Sequence, residues 1–197
     1  KLVTGVQTCA LPISGGNITV GHVDAGLAGD VTLTATAGAI LDDANDGATD
    51  ISGDVVTLSA ATGIGASAGA GSLDTAANSI TAAVTGAGQI NLNEANAVTL
   101  ASVSTANGSI TITTGGTTVI GSVSSATDAD ANDISITASS GDIVVGTVNA
   151  GTTAGDVTLT ATAGAILDDA NDGATDISGD VVTLSAATGI RSEEHTS

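Results

Sequence analysis

Apolar and hydroxyl residues alternate along several short stretches of this chain. Val31-Thr32-Leu33-Thr34-Ala35, Ile110-Thr111-Ile112-Thr113, Ile134-Ser135-Ile136-Thr137 and Val157-Thr158-Leu159-Thr160 share this plan. A period of two, rich in β-branched residues, predicts strands that bury one face. A helical period is nearly absent. Leu73–Val84 is the one stretch compatible with it, and Asn78-Ser79 with Gly86 close by turn that reading toward another strand.

A second strand form reads apolar-x-apolar-small-x-Val: Ile18–Val23, Val98–Val103, Thr118–Val123 and Ile143–Val148. From Val98 onward the two forms take turns, and successive starts of either form lie 20 to 25 residues apart. Two strands in such a unit are what one coil of a parallel β-helix needs. Repetition on a longer scale agrees. Gly29–Ile64 returns letter for letter as Gly155–Ile190, 126 residues on, and Gly15–Gly26 matches Ser140–Gly151 one residue out of step. Each unit of such a repeat buries its apolar face against its neighbours. The 126-residue shift corresponds to about six coils of ~21 residues. The expected fold is therefore all-β, a parallel β-helix of roughly eight coils in which small aliphatic side chains stack as ladders inside a narrow tube. The lack of any Phe, Tyr or Trp fits a tube with no room for rings. An array of immunoglobulin-like sandwiches would instead need a buried Trp, a corner Tyr and a unit of about 100 residues.

Turn chemistry punctuates the coils. Gly29-Asp30, Gly53-Asp54, Gly141-Asp142, Gly155-Asp156 and Gly179-Asp180 mark corners, and Asn107-Gly108 is a further turn dipeptide. Glycine tolerates positive φ, and aspartate can cap a turn through its own carboxylate.

Charge narrows the function. Between Gly15 and Ile190 there are 18 Asp, Glu94, and no Lys or Arg. Nucleic-acid binding needs basic residues to neutralise phosphate, and attraction to anionic headgroups needs them too. Mean hydropathy is positive, at +0.40, yet no apolar run approaches the ~18 residues of a spanning helix. Membrane insertion of this segment is not expected. Regularly placed Val, Ile and Leu, with almost no Pro, Lys or Glu, argue for order rather than disorder despite the net charge and the 27 glycines. Without cysteine beyond Cys9 there is neither a disulfide framework nor a thiolate metal site.

Candidate chemistry is confined to acidic loops. LDDANDGATD carries Asp42, Asp43, Asn45, Asp46 and Asp50, and its second copy carries Asp168, Asp169, Asn171, Asp172 and Asp176. Clustered carboxylates with Asn and Gly suit hard Ca²⁺. The candidate ligands are Asp42, Asp43, Asn45 and Asp46, with Asp168, Asp169, Asn171 and Asp172 as their repeat. The EF-hand order fails, because Ala44 occupies the third position and no helix flanks the loop. Asp128, Asp130 and Asn132 have the 1-3-5 oxygen spacing without the following Gly and form another Ca²⁺ candidate. The competing reading of all three runs is a solvated acidic turn. No organic cofactor is expected.

The outward hydroxyl columns Thr32/Thr34, Thr57/Ser59, Thr111/Thr113, Ser135/Thr137, Thr158/Thr160 and Thr183/Ser185 resemble the arrays of ice-binding proteins. Mixed Ser, and interruptions at Asn91/Asn93 and Ala83, favour simple exposed-strand Thr pairing instead. Gly63–Gly71 lacks the spacing and context of a dinucleotide loop, and no phosphate-loop Lys exists. His22 stands without a nucleophile constellation. Catalysis is not expected: β-helices that act on acidic polysaccharides use Lys or Arg and aromatics, and nothing places a particular Asp pair at glycosidase spacing.

The ends differ from everything between them. Lys1–Ser14 and Arg191–Ser197 hold the only Cys, the only Pro, the only Lys and the only Arg, and resemble translated sequencing-adapter sequence. They are expected to be non-native, leaving Gly15–Ile190 as a single repeat region.

On VTLTATAGAI, VVTLSAATGIG, ITVGHVDAG and INLNEANAVTLASVSTANGSITITTGG, this region resembles the repeats of large bacterial secreted adhesins of the filamentous haemagglutinin-like type. The resemblance implies a right-handed parallel β-helix, export to the extracellular space or outer cell surface of a bacterium, and a stalk role. The implied partner is a receptor or glycan on a host or neighbouring cell. A Ca²⁺-stabilised surface module is the alternative function, and a polysaccharide-active enzyme a more distant one.

Overall fold

The computed structural model describes residues 2–6, 9–10, 13–26, 28–66, 71–170 and 173–191. Among these residues there is no α-helix, and 20 strands join in one continuous ladder. Every strand pairing in it is parallel. The chain forms a β-solenoid of about 7 turns, the parallel β-helix expected from the sequence. The ambiguous stretch is strand: Leu73–Ala87 runs extended over 15 residues.

Alternation dictates the interior. Ile18, Ile40, Ile64, Ile90, Ile110, Ile134, Val157 and Val182 lie directly above one another along one flank. Val31, Val56, Ile80, Leu100, Ile120 and Val145 do so along the other. All but the terminal Val182 are buried. Each such side chain contributes about 1.5–3 kcal/mol on leaving water, and β-branched residues fit the pleated wall at little entropic cost.

The two strand forms have distinct shapes. The alternating form is straight, as in Ile110–Thr114 and Val157–Ala161. The form with a small central residue crosses a corner, because register to the coil beneath breaks between Leu100 and Ser102. Gly121 and Gly146 occupy the same corner in later coils, and a Cβ on Gly146 would stand 2.5 Å from the Ile120 carbonyl oxygen. The small residue of the motif is thus a steric requirement of coil stacking.

The duplication does not span a whole number of coils. From Val31, stacked partners on the same flank run through Val56, Ile80, Leu100 and Ile120 to Val145. The repeat of Val31, Val157, lies half a coil beyond that, on the opposite flank above Ile134. The 126-residue shift is therefore five and a half coils of about 23 residues, not six of ~21. Around residues 90–105 the straight strand passes from one flank to the other: Ile90–Glu94 is straight where Ile18–Asp24 bent, and Val98–Asn107 bends where Val31–Ala35 was straight.

The outward hydroxyls consequently form two arrays. Thr32 stacks on Thr57 and Thr81, whereas Thr111, Ser135, Thr158 and Thr183 stack on the other flank. At the N-terminus, Leu2–Val6 pairs with Thr19–Asp24, and Cys9-Ala10 and Ile13-Ser14 pair with Asp30–Ala35. The backbone ladder thus includes part of the segment whose composition sets it apart. Among the described residues no helix is long and apolar enough to cross a membrane.

Candidate metal centre

The acidic loop of the first copy leaves the tube after Ala39–Asp42 and re-enters at Ile51–Ala60. Its two ends, Asp42 and Asp50, are buried, and the residues between them are largely exposed. Carboxylate oxygens of Asp42, Asp43 and Asp50 lie within 4.8 Å of one another. Asp42 is only 7 % exposed. Its Oδ1 accepts the Ala44 N–H at 2.9 Å, while its Oδ2 is buried with no hydrogen-bond partner.

Asp50 is gripped between coils. Its carbonyl accepts the Val23 N–H from the coil below, its N–H donates to the Asp74 carbonyl above, and its Oδ2 accepts the Asp74 N–H at 2.9 Å. Burial pushes its pKa up to about 7 against that hydrogen bond, with the Asp42, Asp74 and Asp43 charges adding to the rise.

The other residues of the loop build its shape. Asn45 holds a left-handed φ of 49°, a conformation Asn tolerates. Asp46 is exposed and accepts the Ala48 N–H through Oδ1 at 2.7 Å. Of the carboxylates in the loop, the structure brings Asp50, from its far end, to the Asp42–Asp43 pair.

In the second copy a turn bond within the loop and two bonds to the coil below are the same. Ala170 N–H meets Asp168 Oδ1, Asp169 N–H meets the Val145 carbonyl, and Val148 N–H meets the Asp176 carbonyl. These match Ala44 on Asp42, Asp43 on Val20 and Val23 on Asp50 in the first copy. Asp168 and Asp176 are nevertheless half-buried, and Asp169 is exposed. Asn171 and Asp172 lie outside the described residues. Identical sequence thus stands in two environments, and the buried one has the Leu73–Ala87 strand stacked above it.

The third candidate run is occupied by other work. Asp128 Oδ2 accepts Thr152 N–H, Thr153 N–H and the Thr153 hydroxyl, and Oδ1 accepts Ala154 and Gly155 N–H. The Thr153 hydroxyl, helped by those backbone amides, holds its carboxyl well below the usual range. Asn132 is buried and donates to Asn107 Oδ1 and the Thr127 carbonyl. Asp130 is exposed. This loop ties one coil to the next, and its 1-3-5 spacing does not assemble a cluster of carboxylates among the described residues.

Two further buried acids were not singled out from sequence. Asp74 accepts from the Asn93 amide, and burial raises its pKa despite that bond. Glu94 is 1 % exposed and sits inside the tube above Thr75. Its Oε2 accepts the Thr75 hydroxyl and the Ala77 N–H, and its Oε1 accepts the Asn96 N–H; burial outweighs these and raises its pKa. A signal for Glu94 existed in the sequence: it continues the inward parity of Ile90 and Leu92. His22 is exposed, with Nδ1 3.1 Å from the Thr49 carbonyl.

Comparison with family models, with curated proteins and with solved structures finds no match to this chain.

Proposed function

We propose that this chain is a stalk segment of a large secreted or cell-surface bacterial adhesin, with no catalytic role. The observation that carries the reading is the unbroken parallel ladder, in which stacked Ile, Val and Leu fill the tube from Ile18 to Ile166. Such a rod gains stability one coil at a time from nearest-neighbour stacking, which suits a spacer that folds as it leaves a pore. The acidic surface, without a Lys or Arg between Gly15 and Ile190, keeps neighbouring rods apart and soluble. The same lack of bases and aromatics removes the groups that would neutralise or stack an acidic sugar. A receptor or glycan on a host or neighbouring cell is the partner that such a stalk serves.

The test is surface display. Antibodies raised against the purified chain should label intact, unpermeabilised source cells or their secreted fraction. Labelling that appears only after permeabilisation would overturn the proposal.

A further inference from the structure

We propose that Asp42, Asp43 and Asp50 bind one hard divalent cation of the Ca²⁺ class, at a site where the next coil holds Asp50 in place. The inference rests on the fold and holds wherever the rod is displayed. Oxygens that coordinate Ca²⁺ at about 2.4 Å lie no more than about 4.8 Å apart, and the three carboxylates meet that limit. Asp42 supplies the second, independent observation. Its Oδ2 is buried without a partner, while its other oxygen is already engaged by Ala44. A buried carboxylate oxygen left unpaired is costly, and buried charges are normally paired or bound to metal.

From Gly15 to Ile190 the repeat region offers no Lys or Arg as counter-charge, and Asp74 and Asp46 add further negative potential at Asp50 and Asp74. The nearby His22 ring faces the Thr49 carbonyl. An all-carboxylate donor set selects a hard ion over zinc or copper, which prefer nitrogen and sulfur.

In the second copy Asp168 and Asp176 are half-buried, and no matching group of three carboxylates forms among the described residues. In the first copy the next coil fixes the Asp50 carboxylate through the Asp74 N–H.

Calorimetric titration of Ca²⁺ into the chelator-stripped chain, with thermal melts followed by circular dichroism, tests this. One tight site per chain is expected, with a melting temperature raised by Ca²⁺ and lowered by EDTA. Asp42→Asn and Asp50→Asn should each weaken binding at least tenfold and abolish the Ca²⁺-dependent shift. In EDTA both variants should melt no lower than the parent, since each removes a repelling charge; that reading separates loss of the site from loss of the fold. Asp168→Asn should bind as the parent does. No binding, two equivalent sites, or equal weakening by Asp168→Asn and Asp42→Asn would overturn the proposal.

Discussion

Glu94 shows what a single carboxyl costs inside a tube of aliphatic side chains. Its folded pKa lies above the value near 4.5 that it has in water. Between those two values the folded chain keeps a proton that the unfolded chain has lost. Stability from this group is therefore complete below about pH 4.5 and declines as pH rises through the folded value. Replacing it by Gln removes that dependence, but turns an N–H₂ toward backbone and hydroxyl donors that now point at oxygen. We expect Glu94→Gln to cost about 1–3 kcal/mol at pH 5 and to melt with a shallower decline toward pH 8 than the parent. Melting curves across that range decide it. An undiminished decline would mean that Glu94 carries its charge at no expense.

At the scale of the coil, the corner aspartates have a common direction. Asp30 accepts from Val55, Asp142 from Ala165 and Asp156 from Val181, each 23 to 25 residues later. Asp50 reaches Asp74 and Asp128 reaches Thr152–Gly155 in the same sense. The corner aspartates thus receive the N–H groups of the following coil. The local capping expected from Gly-Asp turns is found elsewhere, as in Asp24 on Gly26 and Asp46 on Ala48. Asp128 makes the most such bonds, so Asp128→Ala should leave the amides of Thr152, Thr153, Ala154 and Gly155 much faster to exchange with deuterium, while Ile134–Ala138 amides stay protected. Unchanged exchange at those four amides would show that the carboxylate is dispensable.

This directionality was invisible in sequence, because a carboxylate's partner in the next coil depends on coil length, which varies from corner to corner. The strands and their inward faces were legible, since alternation of Ile with Thr encodes face directly. The Asp42–Asp43 pair was legible for the same kind of reason, being adjacent. Asp50 was not joined to it, because only closure of an eight-residue excursion brings the two ends of the loop together, and Asp74 needed the register of a separate coil.

For the whole molecule, charge sets the conditions of folding. The formal net charge is −19 at pH 7, with no basic partner for nearly all of it. Self-repulsion in a compact state is relieved by screening, and the Debye length falls from about 10 Å at 0.1 M salt to about 3 Å at 1 M. The melting temperature should therefore rise with KCl over that range, before any divalent ion is added. A flat response would indicate that the surface acids are spaced too widely to repel.

The passage of the straight strand from one flank to the other has a consequence for how such a rod can lengthen. Both walls accept the same Val-Thr-Leu-Thr-Ala pattern, as Val31–Ala35 and Val157–Ala161 demonstrate from opposite sides. A copied segment therefore need not fill complete circuits to be accommodated; an odd number of half-circuits splices in as well, and turns whatever the copied loop carries to face the other way. Gene duplication in this architecture can redistribute its acidic loops around the shaft as well as along it.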